Sequence, residues 1–294
     1  MDITYSQCYE YDIFRREQAR VKDWTFRCML EAQCHSQVCV LTLTYNDEHL
    51  PGFGNVSVRD FQLFMKSLRD RIKPVKVRFF GCGEYGSKGS RPHYHVIIFG
   101  YIPQDLVYHH SDKHGIKFYL SQEIADIWKR GYILVCPTLD EHVIPYVCKY
   151  LQKFNEKDLV VVSDCGRYAV RLTRPFVLMS RRPGIGYNAI HTGLVDLNTD
   201  KVYCAGKSVR IPRYYLNKLE EEQLSRGFWF NDFDGSLYHS TDLLPMEREL
   251  CAPLTQIDFI RKKRRVFWST RFDSDKYVNN VLKFMTFKNE RDKT

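Results

Sequence analysis

The sequence predicts an α+β protein built on an antiparallel sheet, and three observations support this prediction. Runs of β-branched and aromatic residues mark four strands, segments with apolar residues at helical intervals mark helices, and turn residues separate them. After a leading helix the predicted order is β-α-β-β-α-β-α, an order in which helices pack on one face of the sheet. We therefore expect a ferredoxin-like (RRM-like) sheet with helices on one face, the other face free for a ligand, and a C-terminal extension.

The predicted elements are bounded by capping and turn residues. They are helices over 9–33, 58–73, 121–131 and 138–154, strands over 38–47, 91–100 and 132–137, and a further strand that begins at 76. Ser57 is the expected N-cap of the second helix, and Gly131 is expected at the end of the third. Pro145 lies inside the last helix, which therefore kinks or begins afresh there. The polar segment 104–118 is expected to be a loop with exposed histidines.

The charge balance indicates an anionic partner. The chain of 294 residues has a net charge of +9 and 14% aromatic residues, a combination that suits phosphates and the stacking of unpaired bases. Basic residues recur in clusters within 69–78, 181–182 and 261–265. No run approaches the roughly 18 apolar residues of a membrane span, and the opening residues lack a secretion signal, so we expect an intracellular protein without a membrane partner.

The cysteines indicate buried thiols. The sequence has no Cys-x-x-Cys motif, and the nearest approach to a zinc set is Cys28, Cys34, His35 and Cys39, whose spacing is irregular. Several cysteines lie in apolar, strand-like runs. We therefore expect reduced thiols that pack as small hydrophobic groups.

Two histidines in the segment RPHYHVIIFG share one face of a predicted central strand. His93 and His95 are two residues apart, so their side chains point the same way. If the preceding hairpin turn is centred near Lys88, Glu84 lies across from His93. Two imidazoles and one carboxylate suit Mg²⁺ or Mn²⁺, with positions left open for substrate. The alternative is a core strand whose histidines make ordinary hydrogen bonds.

Hydroxyl and guanidinium groups near these strands are candidate phosphate contacts. In LTLTYND the alternation places Thr42 and Thr44 on the face opposite the leucines, where hydroxyls can hold phosphate oxygens. Threonine is also simply a good strand residue. Arg91 precedes the histidine strand, and Arg181 with Arg182 forms a basic turn that either contacts phosphates or packs on the sheet.

Two tyrosines one helical turn apart are candidate nucleophiles. In IPYVCKYLQK, Tyr146 and Tyr150 share a helical face, with Lys149 and Lys153 on the neighbouring rows. A phenol is a poor nucleophile until it loses its proton, and a nearby metal ion and ammonium group favour that loss. The pair alone is a weak signal, and its value depends on the histidine motif.

These segments, in this order, resemble the His-hydrophobic-His endonucleases that initiate rolling-circle replication. More narrowly, LTLTYND, GEYG followed by RPHYHVIIFG, YVCKY, and PFVLMSRRPGIG are similar to the replication initiators of gokushovirus-type microviruses, which are small single-stranded DNA phages. The resemblance covers roughly 24–215 and includes PRYY at 212–215.

The resemblance implies specific roles for these residues. It implies metal ligands at His93 and His95 with Glu84 as the third, nucleophiles at Tyr146 and Tyr150, a matching lysine at Lys149, and DNA contacts from Thr42, Thr44, Arg91, Lys153, Arg181 and Arg182. There are two departures from the family pattern. The N-terminal cysteine cluster common in the group is reduced to Cys8, and Tyr94 replaces the usual aliphatic residue between the histidines.

The resemblance also implies an activity and a domain organisation. We expect a DNA endonuclease and strand transferase that nicks and joins single-stranded origin DNA through a 5′-phosphotyrosine, in the cytoplasm of an infected bacterial host. A host replication helicase and polymerase are the expected partners. Residues 1–155 then form the nuclease domain, with 1–37 a helical lead-in, and 156–294 form a basic C-terminal region that can pack on it.

Two other functions compete with this hypothesis. The first is a non-catalytic protein that binds single-stranded nucleic acid on an RRM-like sheet, with bases stacked on rings such as Tyr94 or Phe99. Its binding would survive EDTA and leave no covalent product. The second is a relaxase or transposase with the same chemistry and a different substrate.

Overall fold

The computed structural model describes most of the chain. It covers residues 4–86, 91–137, 143–149, 160–162, 169–204, 206–225, 228–230, 237–239, 257–258, 260–264 and 274–291. Contacts within the chain divide it into two units, one formed by Met1–Arg16 with Ala189–Thr294 and the other by Glu17–Asn188. Every candidate site residue that the structure describes lies in the second unit. The predicted division at residue 155 stays a prediction about the extent of the nuclease.

The second unit and its leading helix contain most of the regular structure. The helices are α1 (Tyr5–Gln33), α2 (Val58–Arg71), α3 (Gln122–Trp128) and α4 (Val143–Lys149). The strands are β1 (Val38–Tyr45), β2 (Arg78–Tyr85), β3 (Pro92–Phe99), β4 (Val107–Ser111), β5 (Lys117–Leu120), β6 (Gly131–Cys136), β7 (Val160–Val162), β8 (Ala169–Arg171) and β9 (Phe176–Met179).

One seven-stranded sheet organises this unit. Its order is β4-β5-β6-β1-β3-β2-β9, and neighbouring strands are antiparallel, which confirms the predicted α+β class. The central order β6-β1-β3-β2 is compatible with the predicted ferredoxin-like arrangement, because the four predicted strands lie in the order 4-1-3-2. In the β2–β3 hairpin Glu84 is directly opposite His93, the register that the sequence predicted.

The predicted loop at 104–118 is instead a β-hairpin. Strands β4 and β5 extend one edge of the sheet, and every residue of β4 is exposed. An edge strand with no buried face shows no apolar alternation, so the hairpin leaves no periodic signal in the sequence. The exposure predicted for His109, His110 and His114 is confirmed.

Helices α2 and α3 cover one face of the sheet. The side chain of Ser57 accepts a hydrogen bond from the Asp60 N–H at 3.1 Å, which confirms the predicted N-cap. Helix α3 ends earlier than predicted, because Lys129 adopts a left-handed conformation with φ of 55°. Gly131 opens β6 with φ of 145°, where an added Cβ would lie 2.3 Å from the backbone nitrogen of Asn46. Its role is thus a close strand contact and not a helix cap.

The opposite face is partly covered, which differs from the prediction that it is free. Cys28 of α1 and Val147 of α4 belong to a buried cluster that includes Val40, Ile97 and Phe99 of the sheet. Short α4 presents enough apolar surface to dock there, so this part of the face is not available to a ligand. The described helix is Val143–Lys149, and the rest of the predicted 138–154 helix lies outside the described residues.

Pro145 fits α4 without a kink. It falls in the first turn of the described helix, where a backbone N–H has no intrahelical acceptor to lose. The predicted alternative of a helix that begins near Pro145 is therefore the better description of this part of the chain.

The described cysteines are free thiols, as predicted. Cys28, Cys39, Cys82, Cys136, Cys148 and Cys204 are buried. Burial raises the pKa of the Cys39 thiol, so it stays protonated. Cys39 lies within β1 and His35 is bonded to Glu31, and the described residues of the irregular cysteine set do not form a metal-binding group.

Glu31 of α1 fastens the segment after β9 to the sheet. Its carboxylate accepts hydrogen bonds from the Gly186 N–H at 2.6 Å and from Arg78 Nε at 2.5 Å, and lies 3.0 Å from His35 Nε2. Arg78 also donates to the carbonyl oxygen of Gly184 at 2.9 Å. The glycines of the PFVLMSRRPGIG segment thus take part in a buried clamp, and Gly186 has a φ of 79°.

This clamp depends on the charge of Glu31. Burial raises the pKa of the Glu31 carboxyl, but hydrogen bonds from His35, Gly186 and Arg78 outweigh burial, so the net pKa lies below the ordinary 4.5. The stability that the ionised carboxylate contributes is therefore complete above about pH 4.5 and is lost as the pH falls through the lower pKa of the folded state.

Glu31→Gln is expected to lower the free energy of unfolding by about 3 kcal/mol, because it leaves the mostly buried Arg78 guanidinium without its counter-charge. Urea unfolding at neutral pH measures the loss, and the difference from wild type should shrink below pH 4.5. Asp70→Asn is the control, since it removes an exposed ion pair with Lys73 and should cost under about 1 kcal/mol. Equal losses in the two variants would contradict the clamp.

The other unit combines short strands with helices. Its elements are β10 (Val195–Asp196), β11 (Lys201–Cys204), β12 (Lys207–Arg210), α5 (Arg213–Ser225), β13 (Phe228–Phe230), β14 (Leu237–His239) and α6 (Ser274–Arg291). Tyr11 and Phe14 from the start of α1 pack against Phe284 of α6. Arg264 of the basic 261–265 cluster pairs with Asp200 at 2.9 Å, so that charge stabilises this unit.

Among the described residues, no helix combines the length and the apolar content needed to cross a membrane.

Candidate active site

Glu84, His93 and His95 form a compact group on the partly open face of the sheet. Glu84 Oε1 lies 2.9 Å from His93 Nε2 and 3.5 Å from His95 Nε2. The ligand atoms of the three residues all lie within 4.8 Å of one another, and no other group of this kind occurs among the residues that the structure describes. Glu84 is 1% exposed and His95 5% exposed, so the group is almost entirely withdrawn from solvent.

Two hydrogen bonds orient the imidazoles. His93 Nδ1 lies 3.0 Å from the carbonyl oxygen of Arg91, which only accepts, so Nδ1 carries the proton and the neutral ring keeps a lone pair on Nε2. His95 Nδ1 lies 3.0 Å from Thr42 Oγ1, and a proton on this Nδ1 also leaves Nε2 as the electron-pair donor. Both Nε2 atoms therefore converge on Glu84. Metal-ligating histidines are held by contacts of this type.

The group fits a divalent metal ion. It offers two imidazole nitrogens and one carboxylate, and a buried carboxylate beside two neutral rings gains a counter-charge when a cation binds. Three protein ligands leave coordination positions for water or substrate. The structure thus supports the predicted metal-binding set, and the identity of the ion remains a proposal.

Thr42→Val is expected to weaken Mn²⁺ binding about 10- to 100-fold, because loss of the hydroxyl releases the His95 ring from its fixed orientation. Isothermal titration with Mn²⁺ measures this change. Thr44→Val is the matched control, since Thr44 lies on the same strand and the same face but is opposite His93 in the sheet. An unchanged dissociation constant for Thr42→Val would contradict the positioning role.

Tyr146 lies beside this group. Its ring contacts the His95 ring edge to face, with 5.8 Å between centroids and 83° between planes. Tyr146 is 54% exposed, whereas Val143, Ile144, Val147 and Cys148 of α4 are buried against the sheet. The apolar side of α4 therefore holds an accessible phenol next to the candidate metal ligands.

The segment that builds this site matches a known family. Residues 38–155, from the start of β1 to beyond α4, match the family model of the ORF2 type of replication-associated protein. The replication-associated protein ORF4 of Chlamydia phage 1 is 30% identical over 233 residues, which are 76% of this chain and 55% of that protein. The chain belongs to the microvirus replication-associated proteins. The predicted resemblance is confirmed.

Two further relatives extend this comparison. The replication-associated protein VP4 of Bdellovibrio phage phiMH2K is 30% identical over 226 residues, or 73% of this chain and 58% of that protein. The replication-associated protein ORF2 of Spiroplasma virus 4 is 26% identical over 279 residues, or 90% of this chain and 80% of that protein. The chain thus spans little more than half of the first two relatives. No solved structure matches it significantly.

The remaining predicted residues of this family member fall in several places. Lys149 is exposed and lies one turn after Tyr146 on α4, whereas Tyr150 and Lys153 lie outside the described residues. The guanidinium of Arg91 donates to the carbonyl oxygen of Tyr45 at 2.9 Å and pairs with Asp47.

The other predicted DNA contacts have different surroundings. Arg181 and Arg182 are exposed, and Thr44 is half-buried in the row of the sheet that contains His93. The role of these residues and of Arg91 in DNA binding stays a prediction.

Sequence reasoning missed the support that Tyr94 gives beneath the site. Tyr94 points to the other face, where its hydroxyl lies 2.7 Å from that of Tyr45 and donates to the carbonyl oxygen of Ser57. Burial raises the pKa of Tyr94 to about 12. Tyr94 and Phe99 are both fully buried, so the predicted alternative in which bases stack on these rings is wrong. The tyrosine between the histidines is explained by this buried hydroxyl network.

Proposed function

We propose that the protein is a rolling-circle replication initiator that nicks and rejoins single-stranded origin DNA through a 5′-phosphotyrosine. One observation carries this proposal: the Tyr146 ring, exposed to solvent, rests against His95 of the Glu84, His93 and His95 group. An enzyme that joins a tyrosine to a phosphate needs a phenol and a cation site within reach of one phosphorus atom. The replication-associated names of the relatives agree with a role at an origin.

In the proposed reaction Tyr146 attacks a phosphodiester of the DNA. Its oxygen forms a bond to phosphorus, the bond from phosphorus to the 3′-oxygen breaks, and the proton lost by the phenol balances the one gained by the departing 3′-oxygen. The products are a 5′-phosphotyrosine and a free 3′-hydroxyl, which can prime synthesis. Because the phosphotyrosine is still a diester, the reverse attack by a 3′-hydroxyl rejoins DNA without ATP.

A divalent cation, Mg²⁺ or Mn²⁺, is the proposed cofactor. Glu84, His93 and His95 would hold it, and when bound it supplies positive charge to a phosphate oxygen as negative charge builds up around phosphorus. Carboxylate and water suit both ions, while two imidazole ligands favour Mn²⁺ over Mg²⁺.

Lys149 and Tyr150 complete the proposed machinery. The exposed ammonium of Lys149 lies one turn along α4 from Tyr146, where it favours an ionised phenol and an incoming phosphate. We assign Tyr150 as a second nucleophile, which cuts the regenerated origin while Tyr146 still carries the first 5′ end. A single tyrosine cannot hold two ends at once.

The proposed substrate is single-stranded DNA. A nucleophile on α4 and ligands on the β2–β3 hairpin must meet at one phosphate, which an unpaired strand permits and a stacked duplex does not. The net charge of +9 favours a polyanion, with Thr42, Thr44, Arg91, Lys153, Arg181 and Arg182 as proposed contacts. We further propose a cytoplasmic site of action in the infected bacterium, with the host replication helicase and polymerase as partners.

The proposal is tested with DNA from the genome that encodes this chain. Single-stranded oligonucleotides tiled across it, each labelled at the 3′ end, are incubated with the protein and Mn²⁺ and run on a denaturing protein gel. A labelled protein band from one oligonucleotide, absent in EDTA, is the expected result, because the 3′ fragment carries the 5′-phosphotyrosine. Absence of a band for every oligonucleotide with Mn²⁺ and Mg²⁺ would exclude the proposed activity.

A further inference from the structure

The open end of the sheet face beside the candidate active site exposes an aromatic ring, Tyr132. Strand β1 pairs with β6 so that Thr44 is opposite Tyr132, and it pairs with β3 so that Thr44 is also opposite His93. Glu84 is opposite His93 in the next strand. Residues directly opposite one another share a face of a sheet. Tyr132, Thr44, His93 and Glu84 therefore form one row across four strands, on the same face.

Exposure along β6 shows where this face is open. Tyr132 is 69% exposed, whereas Cys136, four residues later on the same face, is 1% exposed in the cluster that contains α4. The end of the face that contains Cys136 is thus closed by packing. The row that contains Tyr132 is the accessible end, so a substrate that reaches His93 approaches across this row.

The spacing of the row suits a nucleic acid strand. Adjacent strands lie about 4.8 Å apart, so two steps place the backbone of Tyr132 about 10 Å from that of His93. A nucleotide adjoining a phosphate held at His93 therefore extends over Thr44 toward Tyr132. A large exposed ring at that position offers its face to an unpaired base, and its hydroxyl remains solvated.

We propose that Tyr132 is a stacking platform for a base of single-stranded DNA next to the phosphate that is cut. This inference rests on the proposed function and extends it, since it names the residue that binds substrate beside the reacting atoms. Stacking on an aromatic side chain accepts any base and is blocked in a paired duplex. Tyr132 thus selects unpaired DNA at the site without reading its sequence.

The inference is tested by binding in EDTA, where no cutting takes place. The probes are a fluorescein-labelled oligo(dT) and an abasic oligomer of the same length, and fluorescence anisotropy measures their affinity. Tyr132→Ala is expected to weaken oligo(dT) binding about 5- to 100-fold, the loss expected for one stacked base, and to leave binding of the abasic oligomer unchanged. Tyr132→Phe keeps the ring and should bind oligo(dT) like wild type.

Tyr108→Ala is the matched control. Tyr108 is 56% exposed on the same sheet, but it pairs with Tyr119, which is opposite Val135 on the face covered by α2 and α3. Its removal should leave both affinities unchanged. Equal oligo(dT) affinity in Tyr132→Ala and wild type, or an equal loss for the abasic oligomer, overturns the stacking inference.

These results separate the inference from the proposed function. If wild type forms the covalent band but Tyr132→Ala binds oligo(dT) normally, the nickase stands and the platform is wrong. If wild type forms no band but Tyr132→Ala loses base-dependent binding, the platform stands and the nickase is wrong. Circular dichroism spectra that match wild type show that a loss of binding does not come from misfolding.

Discussion

Tyr146→Phe is expected to abolish the first cut and the covalent protein–DNA product, with a fall in rate on the order of 10³-fold or more. The substitution removes a single oxygen, the atom that forms the bond to phosphorus, and keeps the ring that rests on His95. Quantifying the labelled protein band from 3′-labelled origin DNA over time measures the effect. Binding of the same DNA in EDTA should remain within about twofold of wild type.

Tyr108→Phe is the control for this experiment, because it also removes an exposed phenol oxygen but lies on the sheet edge. Tyr150→Phe gives the complementary result: the first band should persist, and the joining of a second end should be lost. A Tyr146→Phe variant that forms the band at the rate of wild type would contradict the assignment of Tyr146 as the first nucleophile.

Glu84→Gln is expected to remove both metal binding and cutting. An amide oxygen is a weak ligand, and the buried group would lose the one negative charge that balances a divalent cation. Wild type should be stabilised by about 2.7 kcal/mol when Mn²⁺ is present at 100 times its dissociation constant, and the variant by far less. Thermal melting with and without Mn²⁺ measures this difference, and EDTA should reverse it.

Asp70→Asn on exposed α2 should keep the full Mn²⁺ effect, since it lies on a helix on the other face of the sheet. Stabilisation of Glu84→Gln by Mn²⁺ to the same extent as wild type would show that the ion binds elsewhere. Cutting that continues in EDTA would have the same meaning for the chemistry.

The metal group was predictable because its contacts are local. His93 and His95 share a face by strand geometry alone, and the Gly/Ser-rich turn fixes the partner of His93 as Glu84 once its centre is known. The family resemblance then predicted that Tyr146 acts at the same site. The structure adds the contact between the Tyr146 and His95 rings, which no spacing within the sequence specifies.

The features that escaped prediction depend on contacts between distant segments or on exposed edges. Thr42 was expected to face phosphate, and its bond to His95 depends on how β1 and β3 align. The clamp between Glu31 and Gly186 joins residues far apart in the chain. The β4–β5 hairpin has no buried face and so gives no periodic pattern.

The position of Glu84, His93 and His95 on one hairpin has a consequence for assembly. These ligands are close in the chain, so the entropy lost in bringing them together is small, and the group can form as soon as β2 and β3 pair. Tyr146 reaches the group only when α4 docks through its apolar side. A newly made chain should therefore capture its ion before it gains the power to cut, which protects the template from premature breakage.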